Sequence, residues 1–169
     1  VDDEGKELEG EASGNLCIRH PWPSIMRTVY GDHERFKKVY FSQFPGKYFT
    51  GDGCRRDEDG YYWFVGRSND MFKVRGMWVA PVEVENELLG HPSVLECAVV
   101  DAPDARGLMQ AKAVVVTREG QDSGDALAAE LRNHLAGRVA PFKVPTIWAF
   151  AHALPRTATG KVQRFALRG

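Results

Sequence analysis

Gly66-Arg67-Ser68-Asn69-Asp70-Met71-Phe72-Lys73-Val74-Arg75-Gly76 separates two differently composed halves of the chain. Before it runs an aromatic, charged, turn-rich segment; after it runs a regular alternation of helical and strand patterns. Arg67, Ser68, Asn69 and Asp70 in succession read as a loop, because short polar side chains bond to nearby backbone and compete with regular structure. Phe72 and Val74 alternate with Lys73 and Arg75 up to Gly76, the period of a short strand stopped by a turn residue. On residue chemistry alone this is an exposed connection between two lobes, as most such turns are.

Downstream the pattern is α/β. Phe72–Val74 and Met77–Val79 predict a two-stranded ribbon turning near Gly76. Pro81 suits the first turn of a helix, with Glu83 and Glu85 near its positive end and Val84 and Leu88 on its buried face. Gly90 and Pro92 end it. Val94–Val100 is almost continuously apolar and predicts a central strand, and Ala113–Thr117 a second. Leu127, Leu131, Leu135 and Val139 recur every fourth residue, predicting a helix stopped by Pro141. Ile147–Ala151 predicts a third strand. Pro155 to Lys161 is small and polar, an ordered or mobile loop.

Upstream, residues 1–13 are charged and read as a turn or a cut end, and Asn15–Arg19 as a short strand stopped by Pro21 and Pro23. Asp32 is placed to cap a helix over His33–Tyr40, with Phe36, Val39 and Tyr40 on one face. Tyr48–Thr50 predicts a strand broken by Gly51-Asp52-Gly53. Asp57-Glu58-Asp59-Gly60 predicts a hairpin turn, since Asp-Gly tolerates positive φ, and Tyr61–Val65 the returning strand. A hairpin pairs the two strands, so Asp52 and Arg67 are expected to converge.

The chain has 169 residues, enough for one ordinary domain or two small lobes with a real core. Apolar residues make up 43% and charged residues 27%, the composition of a globular protein. The formal net charge of −1 implies no bulk attraction to nucleic acid or to an anionic membrane. No apolar run reaches the length of a membrane span, and the acidic first residues do not read as a signal peptide. The three cysteines (Cys17, Cys54, Cys97) form no Cys-x-x-Cys pair, which argues against a zinc knuckle or redox motif and suits a reducing cytoplasm. Cys17 and Cys97 read as small core residues. The five histidines show no metal-binding spacing, so no metal site is expected.

Three positions stand out for chemistry. Asp52 offers two acceptor oxygens, enough for both hydroxyls of a ribose, although a carboxylate at a strand end is ordinarily a turn former. Arg67 offers an always-charged fork of donors, or is simply a solvated surface arginine. Lys161 brings a mobile ammonium, or is an ordinary tail lysine. A Walker A loop fails there, because Pro155 stands where its first glycine is needed and Val162 where Ser or Thr is needed.

Three blocks occur in order: Tyr48-Phe49-Thr50-Gly51-Asp52-Gly53; Asp59-Gly60-Tyr61-Tyr62-Trp63-Phe64-Val65-Gly66-Arg67; and Leu154-Pro155-Arg156-Thr157-Ala158-Thr159-Gly160-Lys161. Together they resemble the late motifs of the adenylate-forming superfamily, which holds acyl-CoA synthetases, nonribosomal adenylation domains and luciferases. The resemblance covers nearly the whole chain from about Gly14. Residues 14–64, with Trp22 to Phe41 in particular, resemble acetyl-CoA synthetases. Residues 61–169, through Ser68-Asn69-Asp70-Met71-Phe72-Lys73-Val74, Pro81-Val82-Glu83-Val84-Glu85 and Thr157 to Phe165, resemble benzoate-type aryl-CoA ligases. The chain reads either as a divergent family member or as a junction of two sources.

The resemblance implies an α/β (α+β) architecture in two parts. Residues 1–66 would be the β-rich end of a large AMP-binding domain, and 67–169 a mobile C-terminal α/β domain with a hinge near 67–70. It implies that Asp52 and Arg67 hold the ribose and phosphate of the nucleotide, that Lys161 supports adenylation, that Asn69 is the hinge, and that Arg75 and Gly76 line the coenzyme A route. Asn69 stands where the family usually has Asp, Arg75 where acetyl-CoA synthetases have a small residue, and Trp78 where they have a basic one. The implied substrates and cofactors are a small carboxylic acid, ATP/AMP, coenzyme A and Mg2+ held mainly by the ATP phosphates. The implied partner is the remainder of the large N-terminal domain.

The family's early phosphate loop, its central Thr-Glu motif and its acyl pocket are not in these residues. The chain thus resembles the last third of such an enzyme, expected to be inactive alone. Two alternatives compete with an acid–thiol ligase acting on a benzoate-type acid or acetate: a standalone non-catalytic binding or regulatory module, and part of a nonribosomal adenylation domain.

Overall fold

The structure, a computed structural model, describes residues 1–121 and 123–168. They divide into two compact units, one ending at Asn69 and the other beginning at Asp70.

The first unit is an antiparallel three-stranded sheet in the order β1-β2-β3, built from Ala12–Ile18, Tyr48–Arg56 and Tyr62–Arg67. Helix α1, His33–Phe41, packs against β2. Asp32 caps it as expected, its carboxylate accepting from the Arg35 N–H at 3.0 Å. Aromatic side chains join helix to sheet: Tyr40 stacks on Tyr48 with ring centres 4.7 Å apart, and Phe44 meets Phe49 edge-on. Val39 does not share this face; it is exposed, while Phe36 is buried.

Two expectations for this unit need correction. Ala12 and Ser13 pair with Arg56 and Arg55, so the strand begins earlier than its apolar core suggested. The Gly51-Asp52-Gly53 segment does not end β2. The strand runs through it, with Gly51 at φ 78° and a register shift after Gly53. Glycine here makes an irregularity within a strand, because it alone accepts that φ without strain.

The second unit carries the larger core. A ribbon of β4 (Phe72–Val74) and β5 (Met77–Val79) turns through Arg75 and Gly76. Helix α2 (Pro81–Leu89) follows, then β6 (Val94–Pro103), β7 (Met109–Thr117), helix α3 (Asp125–Leu135) and β8 (Ile147–Phe150). The sheet order is β6-β7-β8, antiparallel then parallel, so α3 belongs to the crossover that makes the last pair parallel. Leu88 from α2, Leu131 and Leu135 from α3, and Val99 and Val115 from the sheet have 1% exposure or less. Each such side chain contributes about 1.5–3 kcal/mol by leaving water.

The apolar run Val94–Val100 was expected to be central, but β6 is an edge of the three-stranded sheet and β7 is the middle strand. The run reports burial, with α2 packed against β6 and a 3₁₀ turn at Arg164–Leu167 also against it. The stripe predicted to continue to Val139 stops at Leu135: Gly137 takes φ 79°, and Val139 is buried from outside the helix. Pro141 opens a 3₁₀ turn, Pro141–Lys143, instead of stopping α3.

Candidate functional site

Asp52 and Arg67 face each other directly across the β2–β3 ladder. Arg67 Nη1 pairs with Asp52 Oδ1 at 3.0 Å and donates to the Thr50 carbonyl, also at 3.0 Å. Thr50 is held in turn, its hydroxyl donating to the Leu16 carbonyl at 2.9 Å and accepting the Asp52 N–H at 3.2 Å. The guanidinium lies over Gly51, where a Cβ would come within 3.2 Å of Nη1. Asp52 is largely covered and Arg67 about half exposed, so a fixed carboxylate meets an accessible cation. Among the described residues, these contacts engage one carboxylate oxygen and leave the other as an acceptor. Neighbouring hydroxyls are well suited to such a group, and an anionic group to the guanidinium beside it.

Asn69 stands between the ties of the two units. Ser68 N–H donates to the Gly51 carbonyl at 2.9 Å, inside the first unit. Asp70 Oδ2 lies 3.3 Å from Arg164 Nε, inside the second. Asn69 itself is exposed.

Arg75 and Gly76 form the two-residue turn of the ribbon, with Val74 and Met77 as the flanking pair. Both have positive φ, 51° and 82°. Such a turn matches the strand twist, and Gly76 is the residue type it favours. Arg75 is the one non-glycine at positive φ among the described residues, so this apex carries local strain. On the strand pair below it, Lys73 Nζ sits 4.6 Å from the centre of the exposed Trp78 ring, a cation–π contact.

Lys161 is exposed at the end of a tight, ordered turn. Thr157 N–H donates to the Lys161 carbonyl at 2.8 Å, and Lys161 N–H to the Thr157 hydroxyl at 3.1 Å. Gly160 closes the turn at φ 84°. The loop thus closes on hydrogen bonds between Thr157, Gly160 and Lys161. Lys161 shares no hydrogen bond or ion pair with Arg75, and the ammonium has no partner among the described residues.

One cluster was not anticipated. Glu85 was expected to serve the helix dipole, yet it is 7% exposed and both its oxygens meet the guanidinium of Arg164. Glu85 also accepts the Val99 N–H at 2.7 Å, and Arg164 donates to the Val99 carbonyl at 3.1 Å. The signal was present: Pro81, Val84, Glu85 and Leu88 fall at i, i+3, i+4 and i+7, so a carboxylate lies on the buried stripe and requires a cationic partner. The Glu85 hydrogen bond holds the Arg164 guanidinium above its ordinary pKa. Burial, with Glu85 nearby, pushes the Cys97 thiol from 9.0 up to about 12. Among the described residues, no three His, Cys, Asp or Glu side chains are grouped as a metal ion would need, and no helix is long and apolar enough to cross a membrane.

Residues 83–161 match the AMP-binding enzyme C-terminal domain. Over 168 residues the chain is 49% identical to the acetyl-coenzyme A synthetase of Methylobacterium radiotolerans, covering 99% of this chain and 26% of the relative. The acetyl-coenzyme A synthetase of Rhizobium rhizogenes is equally similar, at 49% with the same coverage. Among solved structures, an anthranilate CoA ligase in complex with anthranoyl-AMP superimposes with a TM-score of 0.86 at 40% identity, over 99% of this chain and 31% of that one. A benzoate CoA ligase from Burkholderia xenovorans LB400 gives 0.82 at 36%, over 99% and 32%. The chain thus spans 26% of the length of the curated relatives it matches, and both likenesses run through nearly all of it.

Proposed function

We propose that the chain, whose residues 83–161 match the AMP-binding enzyme C-terminal domain, is the carboxyl-terminal part of an ATP-dependent acid–thiol ligase, an acyl-CoA synthetase. The observation that carries this reading is the Asp52–Arg67 pair, a half-free carboxylate beside an accessible guanidinium, fixed at register-paired positions. Asp52 receives the ribose hydroxyls and Arg67 the adjoining phosphate.

In the first half-reaction a carboxylate oxygen attacks the α-phosphorus of ATP, the bond to pyrophosphate breaks, and acyl-AMP forms. Two anions approach each other in this step, and the ammonium of Lys161 offsets the developing charge. Magnesium enters on the ATP phosphates. In the second, the sulfur of coenzyme A attacks the acyl carbon and AMP leaves. The units rotate about Asn69 between the two steps, and the ribbon apex at Arg75 and Gly76 lines the thiol route. The acid is acetate or a benzoate-type aryl acid. The reaction takes place in the cytoplasm, on the remainder of the large domain together with this chain.

The full-length protein, incubated with ATP, coenzyme A and either acetate or benzoate, is expected to release pyrophosphate and AMP in step with acyl-CoA. Nucleotide binding without pyrophosphate release for any carboxylic acid would overturn the ligase reading in favour of a binding module.

A further inference from the structure

We infer that Arg164 is the positioning residue for Lys161: its guanidinium, held by Glu85 and Asp70, fixes the loop that presents the ammonium. The inference rests on the role proposed above for Lys161.

Arg164 lies three residues beyond Lys161 and is bound from three parts of the second unit. Its Nη1 and Nη2 take the two Glu85 oxygens on α2. Its Nη1 also reaches the Val99 carbonyl on β6, and its Nε faces Asp70. On the other flank, Arg156 donates from Nη1 to the Gly160 carbonyl at 2.7 Å and from Nη2 to Glu96 Oε2 at 2.8 Å. Arg156 and Val162 also form an isolated antiparallel bridge. The loop is clamped before and after Lys161, and the lysine ammonium has no partner among the described residues.

Stability is a poor explanation for this cluster. A buried ion pair repays little more than its desolvation cost, and packed apolar residues would hold a tail as well. A planar fork gives direction instead: it meets two carboxylates and a carbonyl in one orientation, which a lysine ammonium does not reproduce. Catalysis by a mobile ammonium depends on where its stem is rooted, and small misplacements of a reacting group are costly. The contact with Asp70 adds a further consequence. It ties the Lys161 loop to the residue directly after Asn69, so a rotation about Asn69 carries the lysine along without slack.

The test uses the full-length protein with Arg164→Lys and Asp70→Asn; the second leaves the Glu85 pair intact and guards against loss of folding. Hydrogen exchange is followed at the amides of Gly160, Lys161 and Gln163, which donate to the Thr157 carbonyl, the Thr157 hydroxyl and the Pro155 carbonyl. These are expected to exchange on the order of 10-fold faster in Arg164→Lys, with β7 amides unchanged. Adenylation is expected to fall by up to about 100-fold while thioester formation from supplied acyl-adenylate is retained. Asp70→Asn is expected to shift both readouts in the same direction and less far. Unchanged loop exchange, or equal loss of both half-reactions, would overturn the positioning role. Absence of wild-type turnover with any acid would instead remove the ligase reading, and the exchange result would still decide whether Arg164 fixes the loop.

Discussion

Asp52 and Arg67 are cross-strand partners, joined at 3.0 Å, and Arg67 spends the same Nη1 on the Thr50 carbonyl. The cation is therefore oriented by the fold itself, and the nucleotide binding proposed for this site would use a preformed pair. Replacing Asp52 with Asn removes the charge and keeps the shape. Full-length Asp52→Asn should weaken ATP binding by about 1.5–3 kcal/mol, the scale of a hydrogen bond to a charged group. Equilibrium binding of ATP would check this, and an unchanged affinity would remove Asp52 from the site.

Lys161→Ala should lower the rate of adenylation on the order of 100- to 1000-fold, as expected on losing one preorganised charge-stabilising group. Thioester formation from supplied acyl-adenylate should survive. Measuring the two half-reactions separately decides the matter; equal losses would sink the assignment.

Asn69→Pro imposes φ near −65° and restricts Ser68 as well. Its expected effect is to favour one half-reaction at the expense of the other. Normal rates in both would argue against rotation at this residue.

Gly76→Ala tests the ribbon apex. A Cβ at Gly76 meets nothing within 4 Å, so the cost is that of the backbone at φ 82°. A loss of about 1–2 kcal/mol is expected from placing a side chain in the left-handed region. Arg75→Asn should act oppositely, since asparagine tolerates this conformation better than arginine. Denaturant titration would show both shifts.

Cys97 gives a pH dependence. Its thiol is raised from 9.0 to about 12 in the fold, so the unfolded chain releases this proton first as pH increases. The stabilisation is fully present below 9.0, declines as pH climbs beyond it, and is lost as pH passes about 12. Stability should therefore fall above pH 9.0 more steeply in the wild type than in Cys97→Ala. Parallel curves for the two proteins would contradict the assignment. The same burial should keep Cys97 resistant to alkylation at neutral pH, because the thiolate is the reactive form.

Periodicity and turn chemistry were enough to locate most of the secondary structure. The cap at Asp32, the ribbon around Gly76, the start of α2 at Pro81 and the alternation of helices and strands beyond it are local properties, and each is written in a few adjacent residues. The convergence of Asp52 and Arg67 was also legible, because a hairpin determines which residues face each other. The order of strands was not. An apolar run such as Val94–Val100 records that both faces are covered, and an edge strand covered by a helix looks the same as a central one. Nor was the path of β2 through Gly51, since glycine signals equally a break and an irregularity within a strand. The clamp around Arg164 lay furthest from reach: Glu85 and Arg164 are separated by 79 residues. A carboxylate on the buried stripe of α2 shows that a cation is needed, but only the packing of the tail against α2 and β6 decides which one supplies it.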